Sequence, residues 1–118
     1  MPTYSRQLLS GSTNGQPVKI AATSSPGTTV HTALSGTTGF DEVYVWVTNT
    51  SNAAVTIVIQ WGGTTSPDNH LVDTYSIPAN SPPIPLITGQ VLNNGLVVGI
   101  YASSANVILA TGYVNRIS

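Results

Sequence analysis

Apolar and polar residues alternate over most of the chain, which is the pattern of half-buried β-strands. The segment "EVYVWVT" is the clearest case, because its valines alternate with Tyr44 and Trp46. The same period of two recurs in the segments "PVKIAA", "TTVHTAL", "VTIVIQW", "HLVDTYSI", "GLVVGIYA" and "NVILATGYV". No window of eleven residues shows the period of a helix. The pattern therefore predicts an all-β chain.

Turn-forming residues separate these segments, as in "SSPG", "SGTTG", "GGTTSPDN" and "NNG". Short strands with frequent turns predict a two-sheet antiparallel β-sandwich of about eight strands, jelly-roll-like in its connections. We expect a single sandwich domain over residues 17–118, preceded by residues 1–16 as an N-terminal arm or first strand. Two stretches, "VYVWVTNTSNAAVTIVIQW" and "LVVGIYASSANVILATGYV", are predicted to be hairpins.

The central strand segments are apolar on both of their faces. In "VYVWV" and "TIVIQ" the residues between the inward-facing positions are also largely apolar or aromatic. A strand of this kind is typically covered on both sides. We therefore expect these strands to be covered by the rest of the chain or by a neighbouring subunit.

Four prolines fall within eight residues in "IPANSPPIPLI", at positions 78, 82, 83 and 85. Proline fixes φ and cannot donate a ladder hydrogen bond, so it is kept out of central strands. The stretch is predicted to be a stiff crossover between two sheets or an edge blocked from pairing. The alternative is a rigid ledge for a partner, with Ile84, Pro85 and Leu86 as its contacts.

The N-terminal segment "YSRQLL" combines polar residues with an apolar pair. A free arm has no need of adjacent leucines, so the segment is either a first strand or an arm that orders against a neighbour. Its candidate partner contacts are Tyr4, Arg6, Leu8 and Leu9.

The composition narrows the classes of function. Of the 118 residues, 41% are hydrophobic and only 6% are charged, and the net charge is −1. Three cations, Arg6, Lys19 and Arg116, are too few for binding nucleic acid or a membrane surface. Polarity comes instead from sixteen Thr, thirteen Ser and nine Asn. A net charge near zero promotes association with other proteins.

The chain also lacks the marks of secretion and membrane insertion. It has no cysteine, no apolar stretch long enough to span a bilayer, and no apolar core near its N-terminus of the kind a signal peptide needs. These features predict folding in a reducing cytoplasm.

Residues that could carry chemistry are few. His31 and His70 are better explained as structural histidines than as catalysts. Asp68, Asn69, His70 and Asp73 could ligate a cation, but their spacing does not match a calcium loop, and turn capping is the simpler interpretation. Asp41 and Glu42 are adjacent on a strand and so point to opposite faces. We therefore expect no enzymatic activity, no cofactor and no bound metal.

Two features remain that could bind a ligand or a modification. Tyr44 and Trp46 share one strand face, which could form an aromatic surface for a sugar, although ordinary packing within the sheet is the preferred interpretation. Asn49, Thr50 and Ser51 match a glycosylation acceptor, and a turn asparagine is the preferred interpretation.

The segment "VYVWVTNTSNAAVTIVIQWGG", followed by "IPANSPPIPLITGQVLNNGLVVGIYASSANVILATGYVNRI", resembles small β-sandwich virion proteins of tailed bacteriophages. These are capsid decoration, or cement, proteins. The resemblance covers the chain from Asp41 to Ile117. It implies a structural protein present in many copies on the capsid exterior, made in the bacterial host cytoplasm. The implied partners are the major capsid protein and further copies of the chain, as dimers or trimers. The alternative is a carbohydrate- or receptor-binding module of a head fibre or tail component.

Overall fold

The computed structural model describes residues 3–118, which form an antiparallel all-β structure without helices. The strands are β1 (Tyr4–Leu8), β2 (Val18–Ile20), β3 (Thr28–Thr32), β4 (Phe40–Asn49), β5 (Val55–Trp61), β6 (His70–Ile77), β7 (Ile84–Leu92), β8 (Val97–Ala102) and β9 (Ile108–Ile117). No helix over these residues is long and apolar enough to cross a membrane. The all-β prediction is confirmed.

The strands form two sheets that pack face to face as a jelly roll. The five-stranded sheet has the order β1-β9-β4-β7, with β2 also paired to β9, and the four-stranded sheet has the order β3-β8-β5-β6. From β2 onwards the chain passes from one sheet to the other at every connection except β5–β6. This double Greek key is the jelly-roll connectivity. The predicted sandwich is therefore confirmed.

The two predicted hairpins are wrong. β4 and β5 lie in different sheets, and so do β8 and β9. β4 pairs instead with β7 and β9, while the actual hairpin joins β5 to β6. A short loop rich in Asn and Ser can close a hairpin or turn the corner of a sandwich, so local sequence does not distinguish the two.

The corner between β4 and β5 is held by a buried asparagine. Nδ2 of Asn49 donates to the carbonyls of Ala53 at 2.9 Å and Ile77 at 3.1 Å, and Oδ1 accepts the Ser51 N–H at 2.9 Å. One side chain thus ties the β4–β5 loop to the end of β6. This geometry favours the interpretation of Asn49 as a turn residue.

Replacing this asparagine is expected to loosen the corner. Asn49→Ala should cost about 2 kcal/mol, because the buried Ile77 carbonyl and the Ser51 N–H would lose the hydrogen bonds that this side chain makes. Asn52→Ala, at an exposed position of the same loop, should stay within about 0.5 kcal/mol of the parent. Urea unfolding measures both values. Equal stabilities for the two variants would contradict the pinning role of Asn49.

The core lies between the sheets and is almost entirely aliphatic. The inward residues of β4, Val43, Val45 and Val47, have no exposed surface. They pack in one cluster with the inward residues of the other strands, including Ile59 and Ile100. The N-terminal segment belongs to this structure, because β1 pairs with β9 from Tyr4 to Leu8.

The proline-rich stretch links the two sheets. β6 ends at Ile77 in the four-stranded sheet and β7 begins at Ile84 in the five-stranded sheet, so residues 78–83 form the crossover. The crossover is shorter than predicted, because Ile84–Leu92 is a strand. Pro85 is tolerated there because β7 is an edge strand and proline lacks only a donor that an edge need not use.

Candidate functional site

The outward side of the five-stranded sheet carries most of the aromatic residues of the protein. On β4 the buried pattern alternates strictly, so Phe40, Glu42, Tyr44 and Trp46 point outward. The neighbouring strands add outward residues at matching positions. We call this surface the aromatic face, and its residues are Tyr4, Arg6, Leu8, Phe40, Glu42, Tyr44, Trp46, Pro85, Val91, Tyr113, Asn115 and Ile117.

Strand register arranges the aromatic face in rows across β1, β9 and β4. The rows are Tyr4–Ile117–Phe40, Arg6–Asn115–Glu42 and Leu8–Tyr113–Tyr44. A fourth row consists of Trp46 on β4 and Pro85 on the neighbouring strand β7. The face therefore has an apolar row, a charged row and aromatic rows in succession.

The aromatic rings are packed against one another. The Tyr44 and Tyr113 rings stack with centroids 4.9 Å apart and planes 17° apart, and Trp46 lies 6.2 Å from Tyr113 at 27°. The guanidinium carbon of Arg6 sits 4.8 Å from the centroid of the Tyr113 ring. Because Arg6 and Tyr44 lie on opposite sides of β9, Tyr113 is covered from both sides. Tyr44 and Trp46 do share one face, as predicted, but as part of a stack rather than as an open platform.

The predicted partner contacts divide between this face and the core. Tyr4 and Leu8 are 70% and 55% exposed, and they lie on the aromatic face with Arg6. Leu9 is only 1% exposed and belongs to the core, so its prediction as a contact is wrong. The strand β1 ends at Leu8, and the chain then turns inward.

The proline-segment contacts divide in the same way. Ile84 and Leu86 are partly buried and pack against the core, so their role as partner contacts stays a prediction. Pro85 is exposed and lies beside Trp46 on the aromatic face. The register between β4 and β7 shifts here and skips Leu86, and of the three residues only Pro85 is exposed.

The outer side of the four-stranded sheet is different. Gln60 on β5 is buried, because its Oε1 accepts the Gly27 N–H and its Nε2 donates to Ser25 Oγ, both at 2.9 Å. The β2–β3 loop thus covers the outer side of β5. The sequence predicts that β4 and β5 are covered on both faces. The chain itself covers the outer face of β5, whereas the described residues leave the outer face of β4 uncovered.

A buried charged cluster lies on the inner face of the five-stranded sheet, where β4 begins and β9 ends. The sequence did not predict this cluster. Arg116 donates two hydrogen bonds to Asp41, from Nε to Oδ1 at 2.8 Å and from Nη2 to Oδ2 at 3.0 Å. Oδ2 of Asp41 also lies 2.7 Å from Nε2 of His31 and accepts the Leu34 N–H at 3.3 Å. Asp41 and His31 are 0% and 1% exposed.

The protonation of this cluster follows from its bonds. Nδ1 of His31 accepts the Ser10 N–H at 3.0 Å, so the ring proton is on Nε2, which donates to Asp41. Burial acts to raise the pKa of Asp41, but the hydrogen bonds from Arg116 and His31 outweigh it and hold that pKa below its ordinary value. The hydrogen bond to Asp41 raises the pKa of Arg116.

This cluster links β3, β4 and β9, and the hydrogen bonds of its histidine are made within the fold. Both ring nitrogens of His31 already have partners, and neither His31 nor His70 lines any of four prominent clefts on residues 3–118. Sequence spacing could not reveal the cluster, because Arg116 is 75 residues from Asp41. The one available signal was a charged residue at an inward position of "FDEVYV". As predicted, Asp41 and Glu42 point to opposite faces.

The residues considered as a cation site divide between a turn, which holds Asp68 and Asn69, and the start of β6, which holds His70 and Asp73. Oδ1 of Asn69 accepts the Thr65 N–H at 3.2 Å, and its Nδ2 donates to the Trp61 carbonyl at 3.1 Å. Nδ1 of His70 lies 3.2 Å from Oδ1 of Asp73. Over the described part of the chain, no three His, Asp or Glu side chains converge as a metal site requires.

Comparison with known proteins leaves the aromatic face as the main guide to function. No family model, no curated protein and no solved structure matches the chain. Function is therefore inferred from the chemistry of this surface, which is broad, rich in aromatic residues and carries one positive and one negative side chain, Arg6 and Glu42.

Proposed function

We propose that the protein is a structural virion protein that binds the outer surface of a phage capsid, as a cement or decoration protein. It is made in the host cytoplasm and associates with the major capsid protein and with itself. The observation that carries this proposal is the aromatic face, a broad outward surface rich in aromatic side chains.

The residue types of the aromatic face are those of protein interfaces. Tyrosine, tryptophan and arginine are enriched at interface centres and dominate their binding energy. Here Tyr44, Trp46 and Tyr113 form the centre, and Arg6 is held against it. Such stacking fixes the rings before binding, which lowers the entropy cost of association.

The fold and the sequence support the same proposal. Jelly rolls serve in viral capsid domains and in lectins, although a fold alone does not determine a function. The resemblance of Asp41–Ile117 to phage decoration proteins favours the capsid role. Low surface charge also helps, because few charges must lose their water when a broad surface is covered.

The geometry favours a protein partner over a sugar. A sugar-binding platform presents the flat face of an aromatic ring to the ligand. Tyr44 and Tyr113 instead turn their ring faces toward each other, and Arg6 covers the remaining side of Tyr113. The carbohydrate-binding module is therefore the second candidate, and it is separated from the first by experiment.

Loading onto capsids tests the proposal. Shells lacking the protein, purified from the phage that encodes it, are mixed with the parent chain, Tyr44→Ala or Tyr75→Ala and then sedimented. Tyr75 is 46% exposed on β6, outside the aromatic face, and is the matched control. Tyr44→Ala should reduce loading about tenfold or more, because removing an interface tyrosine commonly costs more than about 1 kcal/mol at each repeated contact. Tyr75→Ala should load like the parent.

The abundance of the chain in complete particles gives an independent measure. A copy number comparable with that of the major capsid protein supports the capsid role. A few copies per particle would instead indicate a fibre or tail component. Binding to a glycan array that disappears in Trp46→Ala, with no binding to shells, would establish the carbohydrate module in place of the cement protein.

A further inference from the structure

We propose that the aromatic face packs against the aromatic face of a second copy of this chain, about a two-fold axis that runs along β9. This inference rests on the proposed function in that it takes the face as the adhesive surface. It specifies the partner of that face and its register. Decoration would then proceed by dimers that meet the capsid through their other surfaces, and Tyr44→Ala would reduce capsid loading by weakening the dimer.

The charged row argues for a second copy as the partner. Arg6 on β1 and Glu42 on β4 flank Asn115 on β9. Together with Tyr4, Ser5 and Ile117 they line a shallow groove of about 470 Å³. Over residues 3–118, neither Arg6 nor Glu42 forms an ion pair within the chain.

A two-fold axis along β9 exchanges the strands on its two sides. It places Arg6 of one copy opposite Glu42 of the second copy, and Glu42 opposite Arg6, so one contact yields two opposite-charge pairs. Asn115 meets its own counterpart, and an amide carries both the donor and the acceptor that this pairing needs. The charged row is therefore complementary to itself.

The rows on either side are complementary under the same operation. Tyr4 comes to lie opposite Phe40 of the second copy, and Leu8 opposite Tyr44. These are apolar and aromatic pairs, which gain from losing water. The exposed side chains of Tyr4 and Leu8 are thereby covered.

An axis between β9 and β4 does not satisfy the charges. That axis would place Arg6 opposite Val91 of the second copy and Glu42 opposite Asn115. Both charges would then lose water without gaining a counter-charge, which is costly. The charged row thus selects the axis along β9 and sets the register.

The size of the contact indicates a reversible dimer. β4 and β9 have ten residues each and β1 has five. Two strands about 34 Å long and one about 17 Å long, spaced about 4.8 Å apart, cover about 400 Å². This area is below the roughly 800 Å² per partner of a standard interface. The net charge of −1 puts little repulsion between copies. A capsid lattice would strengthen such a dimer by holding copies close together.

Charge exchange tests the register in solution, without capsids. Sedimentation velocity over a concentration series compares the parent chain with Arg6→Glu, Glu42→Arg and the double variant. In each single variant both pairs become like-charged, so dimerisation should weaken about 100-fold or more. The double variant should dimerise like the parent. An equimolar mixture of the two single variants should form a heterodimer, because both of its pairs are again opposite in charge.

Controls separate this inference from folding defects and from the capsid proposal. Asp68→Arg makes the same charge change as Glu42→Arg on an exposed loop outside the face and should leave the dimer unchanged. A parent chain that stays monomeric up to about 1 mM would overturn the inference. So would single variants that dimerise like the parent, or a mixture that forms no heterodimer. Capsid loading without a dimer in solution would contradict only this inference. A dimer that does not bind capsids would contradict only the proposed function.

Discussion

Asp41→Ala is expected to destabilise the fold by about 3 kcal/mol, because it leaves buried donors without an acceptor and removes the counter-charge of Arg116, which is 31% exposed. Arg116, His31 and the Leu34 N–H would all lose their acceptor. For a domain of this size the loss corresponds to a fall in Tm of about 15 °C. Thermal and urea unfolding measure it.

An exposed aspartate provides the control for this substitution. Asp68→Ala lies in the β5–β6 loop and should remain within about 0.5 kcal/mol of the parent. If Asp41→Ala were equally mild, the cluster would contribute little to stability. The cluster joins the β1–β2 loop, β3, β4 and β9, so the variant should weaken the end of the sandwich next to the charged row.

The pH dependence of stability identifies the charge of Asp41 as the cause. The pKa of this carboxyl is lower in the folded chain than its ordinary value of 3.8. In the interval between the two pKa values the unfolded chain binds more protons, so stability falls as the pH is lowered. The contribution is complete above pH 3.8 and is lost as the pH drops through the folded pKa.

Asp41→Asn removes this titration while nearly keeping the side-chain volume. The stability difference between the parent and Asp41→Asn should therefore be largest near neutral pH and shrink below pH 3.8. Urea unfolding across this pH range gives the difference directly. A constant difference at all pH values would show that the carboxylate charge is not what stabilises the parent.

Gly112→Ala is expected to be the other severe substitution, at about 4 kcal/mol or outright loss of folding, because it adds a methyl group where two backbones touch. A Cβ at Gly112 would overlap the carbonyl oxygen of Tyr44 and lie 2.9 Å from its carbonyl carbon. Both atoms belong to the backbone of β4, which cannot move without breaking the β4–β9 pairing. The substitution also disturbs the register that stacks Tyr113 on Tyr44.

A second strand glycine is the matched control. A Cβ at Gly99 would be no closer than 3.5 Å to its neighbours, which is an ordinary contact. Gly99→Ala should therefore be within about 1 kcal/mol of the parent, with any gain coming from reduced freedom of the unfolded chain. Far-UV circular dichroism during thermal unfolding measures both variants. Similar midpoints for the two would refute the close approach of β4 and β9.

The residues that stabilise β9, which are Gly112 and the Asp41 partner Arg116, lie beside the outward residues of the proposed contact. Gly112 lies beside Tyr113, and Arg116 lies between Asn115 and Ile117, which are all on the strand at the centre of the aromatic face. The inward residues of β9 fix that strand, and its outward residues form the proposed contact. Variants that test adhesion should therefore change outward residues only.

Several features of the structure could be predicted because they depend on neighbours along the chain. Period-two alternation identifies strands and separates their buried and outward residues, and it placed Tyr44 and Trp46 together on one face. The prolines excluded residues 78–83 from a central strand. The small number of charged residues and the lack of cysteine are equally direct readings of the sequence.

The tertiary structure alone decided which strands pair and which outward residues meet. Alternation identifies a strand but not its sheet, so the corners at β4–β5 and β8–β9 looked like hairpins. The Asp41–His31–Arg116 cluster and the rows of the aromatic face join residues far apart in sequence, and only long-range pairing brings them together. The physical reason is that the strand pairing is selected by the free energy of burying a whole sheet face. All strands contribute to this free energy, so no single strand segment determines its own partner.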